Sequence, residues 1–332
     1  MASRTFPCRK TFSPRSTTGR LFNETQVGKY LSLTLILLIL PSDAITSAFA
    51  SNGMWRGSGT ELDPYLITDK DELWALSDLS NSGEDLMGVY FLQTEDIDLG
   101  GEDEPWTPVS TTTSNGVSHQ FTGIYDGGGH KITGMYVHKP NDDADFFGYI
   151  GKGAVIRYVN VIDGDVSGSY WASGITGRNY GIIEYCSFSG SVIGSRDFVG
   201  GIVGDNHTGG ILRYCYTAKM SDGITETYVE GKQISGGIAG RNSTGSTIEN
   251  CYNTAYVTTE DWFIHNLGGI TGKNEGNRTV ENCYNTGLCG RCLRGHQQRR
   301  RDCRSEQRQQ YRSELLLRGR YRIQRRYVEQ LR

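Results

Sequence analysis

Four cysteines recur in the same local frame, and their spacing constrains the fold of this 332-residue chain more than any other feature. Each cysteine follows an aliphatic residue by three positions, and a Gly-Ile-x-Gly box lies upstream of it. A period of roughly 24 to 36 residues indicates a solenoid, in which no repeat can bury its apolar face without its neighbours. The cysteines are Cys186, Cys215, Cys251 and Cys283.

The glycine boxes keep the same register as the cysteines. An asparagine follows each box by two positions, and a degenerate fifth box is predicted at residues 148–151. The cysteine frame also extends upstream, to Ile156 before Val159 and to Ile132 before Met135, so six rungs are expected. The first and last glycines of the four full boxes are Gly174 and Gly177, Gly201 and Gly204, Gly237 and Gly240, and Gly269 and Gly272.

Each part of the repeat has a physical reason. Short runs rich in Ile, Val, Thr and Tyr predict strands, and the Gly and Asn between them predict tight turns, because both tolerate positive φ. Parallel strands about 4.8 Å apart would place Ile, Val and Cys side chains in inward columns, with glycine where backbones approach closely. Stacked free thiols are therefore predicted in place of a disulfide framework.

The sequence thus predicts an all-β fold, a right-handed parallel β-helix (β-solenoid) with a short N-terminal cap. The 44 glycines fit such a turn-rich architecture. The cap is expected to cover the first turn and to include a short helix at residues 71–76. A β-propeller is the alternative, although its blades usually run to about 40 residues or more.

The boxes also resemble a known family. Gly-Gly-Ile-x-Gly-x-Asn followed by Ile-Glu-Asn-Cys-Tyr-Asn-Thr resembles the GLUG-motif repeats of large secreted or surface-attached bacterial proteins. Residues 55–67, 96–99 and 106–109 are similar to the segment that begins such solenoids, and the resemblance covers residues 55–287. It implies the architecture and leaves the activity open, because these repeats occur beside adhesive modules and beside peptidase domains.

The N-terminus predicts export. Residues 1–50 read as a secretory signal peptide with a long basic n-region, and small residues before the predicted site place cleavage after Ala50. The apolar run at residues 31–40 is too short to span a bilayer, so the membrane is expected to be involved only through this signal. The chain is therefore expected to be secreted or held at the bacterial cell surface. The remaining domains are predicted as an N-terminal cap and first-turn segment at 51–120, a β-solenoid of GLUG-type repeats at 121–287, and a tail at 288–332.

The tail differs in composition from the rest of the chain. The tail contains 14 of the 34 basic residues of the chain, all of them arginine, but only 4 of the 37 acidic residues. The remainder of the chain is therefore acidic. Translation out of frame is the predicted cause, since glycine codons of a GC-rich gene read one base out of phase become arginine codons. Codons allowed for residues 299–318, read one base later, can restore a glycine box and a cysteine at the preceding 32-residue spacing.

The natural product would then continue with more repeats, and this chain would be a truncated fragment that lacks the downstream domains of its parent protein. Two alternatives keep the tail as written. One is a basic nucleic-acid-binding arm, and the other is a zinc site. The zinc ligands would come from Cys289, Cys292, His296 and Cys303.

The sequence predicts no catalytic residue and no cofactor. A loop at residues 141–145, near Lys139 and Lys152, comes closest to the acid cluster of a polysaccharide lyase, and Asp142, Asp143 and Asp145 are candidate calcium ligands. A solvated turn is the simpler interpretation. Asp96 and Asp98 are interpreted as structural residues of the first turn. No His-Glu-x-x-His motif of a zinc peptidase is present.

The outer surface remains as the functional element. Strand alternation is expected to turn half of the tyrosines beside the cysteines inward and to leave an aromatic stripe, which either stabilises one face or contacts glycan or protein. The prediction is a structural or adhesive surface module that binds glycan or host and neighbour surface proteins, is not an enzyme, and binds no nucleic acid. The alternative is a fragment of a polysaccharide-active β-helix enzyme, or the non-catalytic repeat region of a surface peptidase. The tyrosines are Tyr185, Tyr214, Tyr216, Tyr252 and Tyr284.

Overall fold

The computed structural model describes residues 53–111, 118–139, 144–223, 225–259 and 266–291, which all lie in one compact unit spanning residues 49–332. Short β-strands dominate these residues, with one α-helix, α1 (Lys70–Asn81), and one 3₁₀-helix (Gly101–Asp103). The strands are β1 (Tyr65–Ile67), β2 (Tyr90–Gln93), β3 (Ile97–Asp98), β4 (Ile124–Asp126), β5 (Lys131–Thr133), β6 (Tyr136–His138), β7 (Phe147–Ile150), β8 (Val155–Arg157), β9 (Asn160–Gly168), β10 (Thr176–Asn179), β11 (Ile182–Glu184), β12 (Ser187–Gly194), β13 (Val199–Gly200), β14 (Val203–Asn206), β15 (Ile211–Arg213), β16 (Tyr216–Thr217), β17 (Tyr228–Gly231), β18 (Ile234–Gly236), β19 (Ala239–Asn242), β20 (Thr247–Glu249), β21 (Tyr252–Asn253), β22 (Tyr256–Thr259), β23 (Asn266–Gly268), β24 (Thr271–Asn274), β25 (Thr279–Glu281), β26 (Tyr284–Asn285) and β27 (Cys289–Arg291).

These strands stack into long parallel sheets, and equivalent strands of successive rungs are hydrogen-bonded neighbours. Sheet 1 has the order β1-β2-β4-β8-β11-β15-β20-β25, and sheet 2 has the order β7-β10-β14-β19-β24. Sheet 3 contains β12 with β9, β16 and β17 around it, and sheet 4 has the order β13-β18-β23. Parallel pairing of equivalent strands confirms the predicted parallel β-helix and excludes the propeller.

The core is built from inward columns that pass through successive rungs. In sheet 1 one residue of each strand from β2 to β20 forms an inward column, and the residues of this column are fully or almost fully buried from Phe91 to Ile248. Each such side chain contributes about 1.5–3 kcal/mol by leaving water. The column consists of Phe91, Tyr125, Ile156, Ile183, Leu212 and Ile248.

The N-terminal cap forms as the sequence predicts, with a helix that is longer than expected. Asp69 caps α1 by accepting a hydrogen bond from the Glu72 amide at 2.9 Å. The helix buries Leu73 and Leu76, and Trp74 packs on Trp106 with ring centroids 4.8 Å apart. An apolar cap of this kind shields the first rung from water.

Two upstream registers predicted from the sequence are wrong. The sequence predicts Ile132 opposite Ile156, but this residue pairs with Val161 in sheet 3, and Tyr125 lies opposite Ile156 instead. The cause is the turn at residues 127–130, which is two residues longer than the equivalent turn at residues 158–159. Gly148 lies opposite Gly177, so the degenerate box occupies residues 145–148 and not 148–151. In the first case the longer turn broke the count of positions.

The last strand continues the pairing of the solenoid. β27 pairs with β22, with Cys289 opposite Val257, at the 32-residue spacing that also separates Cys251 from Cys283. The pairing therefore reaches Arg291, beyond residue 287 where the sequence predicts the repeats to end. The rest of the tail and the predicted cleavage at Ala50 lie outside the described residues.

Candidate functional site

The first glycine of each box allows a side chain to fill the interior. A Cβ on Gly174 would collide with the Phe188 ring, and one on Gly237 would collide with the Asn253 side chain. Gly201 and Gly269 are restricted in the same way, by Thr217 and Asn285 respectively. None of these glycines has positive φ, so close packing, and not turn conformation, requires them.

The last glycine of each box lies against the backbone of a neighbouring turn. A Cβ on Gly204 would meet the backbone of Trp171 and Phe198, and one on Gly240 would meet Phe198. Gly272 lies against Ser235, while Gly177 lies against the Asp145 carboxylate as well as Trp171. These four positions let the turns stack closely from rung to rung.

The cysteines form an inward column of free thiols. Cys186, Cys215 and Cys251 are fully buried, and Cys283 on the last complete rung is partly exposed. Cys215 Sγ lies 3.3 Å from the carbonyl oxygen of Arg213 in the same rung and 3.7 Å from the carbonyl oxygen of Ile183 in the preceding rung. Burial raises the pKa of the Cys215 thiol, so this thiol stays protonated and unreactive.

The asparagines after the boxes form a buried ladder of amide hydrogen bonds. Asn179 Nδ2 donates to Asn206 Oδ1, and Asn206 Nδ2 donates to Asn242 Oδ1, both at 2.9 Å. Asn242 Nδ2 donates to Asn274 Oδ1 at 3.0 Å. Each amide links its rung to the next, which fixes the register of sheet 2.

Tyrosines form two ladders on the outside of the solenoid. The corner tyrosines, Tyr158, Tyr185 and Tyr214, stack with ring centroids 4.9 and 4.8 Å apart. The second tyrosine ladder stacks with centroids 4.7 and 5.2 Å apart, and it consists of Tyr216, Tyr252 and Tyr284. The expectation that half of the tyrosines turn inward is wrong, because residues on both sides of an inward cysteine point outward.

Inside each ladder the stacking covers the ring faces that neighbouring tyrosines share. Tyr185 has a ring on each side and is 39% exposed, while Tyr158 and Tyr214 at the ladder ends are only slightly more exposed, at 41% and 43%. Tyr284, on the last described rung, is 57% exposed. The corner tyrosines also have positive φ near 54°, a conformation that Asn250 and Asn282 share at the same repeat position.

A row of charges beside the corner tyrosines could not be recognised from the boxes. From Glu184 onward the row occupies the position two residues before each cysteine, so the cysteine spacing, and not the glycine boxes, could have revealed it. Arg157 Nε donates to Asp126 Oδ2 at 2.7 Å, and Arg213 Nε donates to Glu184 Oε2 at 2.7 Å. This charged row consists of Asp126, Arg157, Glu184, Arg213, Glu249 and Glu281.

The outer face of sheet 2 is neutralised by its own contacts. The guanidinium of Arg178 lies over the rings of Tyr149 and Trp171, 4.9 and 4.4 Å from their centroids. Arg241 forms a bidentate ion pair with buried Asp205, which raises the pKa of Arg241. Such contacts stabilise the stack of rungs.

The structure describes only some of the candidate catalytic and metal-binding residues. Asp96 accepts a hydrogen bond from the Lys131 amide at 2.8 Å, as a structural residue of the first turn would. Asp145 is buried, and Asp142 and Asp143 lie outside the described residues, so the calcium site stays a prediction. Across the described ranges, no three His, Cys, Asp or Glu side chains are placed to hold a metal ion. The described helices are also too short or too polar to cross a membrane.

Comparison with known proteins identifies the repeat. The sequence pattern of the GLUG motif matches residues 233–258, which hold a complete box, Asn242 and Cys251. Residues 233–258 are a GLUG repeat. Because equivalent boxes recur through the solenoid, the described chain is a structural repeat module.

Two further proteins are similar over longer stretches. Halomucin of Haloquadratum walsbyi is 26% identical over 160 residues, which are 46% of this chain and 2% of halomucin. The crystal structure of a candidate immunoglobulin A1 protease from Bacteroides ovatus has a TM-score of 0.53 and 24% identity, and the match covers 71% of this chain and 69% of that one. The chain therefore corresponds to a very small part of halomucin, and the second likeness shows a shared fold.

Proposed function

We propose that this chain is a structural and adhesive repeat module displayed outside the cell, which makes weak, repeated contacts with glycan or with neighbouring surfaces. The observation that carries the proposal is the pair of outward-facing tyrosine ladders, each of which repeats one contact group on three successive rungs. The predicted signal peptide and the GLUG repeat support secretion or surface display.

The ladders suit hydrogen bonding better than ring stacking. Inside a ladder the ring faces cover one another, so a sugar ring has no open aromatic face on which to pack. Desolvation and the neighbouring tyrosines raise the pKa of Tyr185, and its hydroxyl therefore stays protonated and able to donate at neutral pH. A polyhydroxylated polymer or a polar protein surface could accept one such bond from each rung, and the weak contacts would add along its length.

Retention of the full chain on immobilised polysaccharides and on intact cells tests this proposal. A triple replacement of the corner tyrosines by asparagine removes one ladder but keeps the residue type that the repeat itself uses at Asn250 and Asn282. The control is Leu62→Asn, which removes a fully exposed side chain elsewhere on the surface. We expect the triple variant to lose about tenfold in retention, a difference of about 1.4 kcal/mol, and the control to lose none. Equal retention by the wild-type chain and the triple variant would contradict the proposal.

A second candidate function is the non-catalytic repeat region of a surface peptidase. Its support is the fold shared with the candidate immunoglobulin A1 protease. In that case the tyrosine ladders would serve only to stabilise the solenoid. Replacement of the corner tyrosines would then lower the stability of the chain without changing its retention on any surface.

A further inference from the structure

The outer face of sheet 1 carries an apolar row beside the charged row. Four successive strands place a partly exposed aliphatic side chain two positions before the residue of the charged row, and threonine takes this position in the next two strands. The sheet is regular here, because every pair is parallel and in register. This aliphatic row consists of Ile124, Val155, Ile182 and Ile211.

The charged row alternates in sign along the solenoid axis. It reads minus, plus, minus, plus, minus, minus from Asp126 to Glu281. The alternation is centred between Glu184 and Arg213, which are ion-paired on adjacent rungs with Arg213 Nη2 2.6 Å from Glu184 Oε2. The four inner charges are therefore antisymmetric about this centre: Glu184 and Arg213 lie at equal distances from it and have opposite signs, and so do Arg157 and Glu249.

We infer that this face binds the same face of a second copy of the chain, related by a two-fold axis parallel to the strands. This inference rests on the proposed adhesive role and names its partner. Such an axis reverses the solenoid direction but keeps each row over itself. Glu184 would then face Arg213 of the second copy, and Arg157 would face Glu249 of the second copy. Ile182 would cover Ile211 of the second copy, and Val155 would lie over Thr247 of the second copy. Only the outermost acids, Asp126 and Glu281, would face a like charge.

The opposite arrangement of two copies is less favourable. Parallel solenoid axes would need a two-fold axis along the solenoid, which would place the charged row of one copy over the aliphatic row of the other. The charges would then be desolvated without a partner, which is costly. The face is complementary to itself in only one of the two orientations, which favours a second copy of the chain as its partner.

The size of the face sets the strength of the contact. The charged row spans five rung spacings, which is about 24 Å at the usual strand separation. Two rows of this length cover much less than the roughly 800 Å² per partner that a stable complex buries. A single contact is therefore weak and reversible, and many such contacts in parallel would be needed for firm adhesion.

A charge swap tests the inference without breaking the intramolecular ion pair. The double variant Glu184→Arg with Arg213→Glu keeps a pair between the same two rungs and stays complementary to itself. Mixed with the wild-type chain, it places two acids together and two arginines together at the centre of the face. The matched control swaps Lys219 and Glu226, an exposed ion pair outside this face whose charged atoms are 3.4 Å apart.

The experiment measures association of full-length chains carrying donor and acceptor fluorophores, over a series of concentrations. Wild-type chains should associate with wild-type chains, and the 184/213 swap with itself. The mixture of the two should associate at least about tenfold more weakly, because juxtaposed like charges suppress wrong partners. The control swap should mix freely with the wild-type chain.

Two results would overturn the inference. Equal association of the mixed pair and the matched pairs would mean that contact occurs elsewhere, for example at the open strand edges of the last rung. No association of wild-type chains at any concentration would mean that the face does not bind a second copy. Retention on polysaccharides and cells, measured separately, would still decide the proposed adhesive function in either case.

Discussion

Replacement of Asn206 by alanine should be among the most damaging single changes in the solenoid, although it removes only one small polar side chain. Asn206 Nδ2 donates to Asn242 Oδ1 at 2.9 Å and to the Thr247 carbonyl oxygen at 3.0 Å, and Asn206 Oδ1 accepts from Asn179 Nδ2 at 2.9 Å. At about 1 kcal/mol for each buried bond, and with neighbouring amides left partly unsatisfied, the loss should be about 3–4 kcal/mol.

Asn274→Ala is the matched control, because Asn274 is the same residue type at the exposed end of the same ladder. It accepts one ladder bond, from Asn242 at 3.0 Å, and water can replace that partner. The expected loss is at most about 1 kcal/mol. Urea titrations of both variants, followed by circular dichroism, give the difference in the free energy of unfolding. Equal losses for the buried and the exposed asparagine would refute the account of the ladder.

Three other outcomes are expected. Gly237→Ala should destabilise the chain by about 1–3 kcal/mol in the same urea assay, because a Cβ there collides with Asn253; an unchanged midpoint would show that the box glycine is not required for packing. Tyr125→Phe should lower the free energy of unfolding by about 1 kcal/mol at neutral pH, because the 3.1 Å hydrogen bond to Gln93 is lost. Above pH 10 the variant should lose less stability than the wild-type chain. Burial raises the pKa of Tyr125 above its ordinary 10.0, so the unfolded chain ionises first and stability falls as the pH rises beyond that value; identical alkaline unfolding of the wild-type chain and the variant would contradict this. Iodoacetamide at pH 8 should modify exposed Cys289 in the native chain but not buried Cys215, as peptide mass spectrometry would show, and equal labelling of the two would contradict the stacked-thiol column.

The repeat frame predicted the regular part of the fold because each conserved spacing corresponds to one physical contact between rungs. Counting three residues back from each cysteine located the inward column at Ile183, Leu212 and Ile248. Position counting failed where the chain adds residues to a turn. The extended turn at residues 127–130 shifted Ile132 out of the expected column, and Tyr125 replaced it.

The outer surface was harder to predict than the interior. Strand alternation predicts that half of the tyrosines beside the cysteines point inward. However, the residue before each cysteine lies at a corner with positive φ, and it points outward together with the residue after the cysteine. The charged row is not apparent in the sequence, because a single Glu or Arg in a repeat is ordinary. Its alternating order becomes visible only when Arg157, Glu184 and Arg213 are placed on adjacent strands.

The central claim is that repeats separated by 29 to 36 residues stack directly on one another as parallel rungs. Ring-to-ring nuclear Overhauser contacts in a chain with selectively labelled tyrosines test it most directly. The account predicts contacts from Tyr216 to Tyr252 and from Tyr252 to Tyr284, whose ring centroids lie 4.7 and 5.2 Å apart. It also predicts contacts from Tyr185 to Tyr214. Absence of these contacts in the folded chain, or contacts that join tyrosines from different positions in the repeat, would contradict the stacked solenoid.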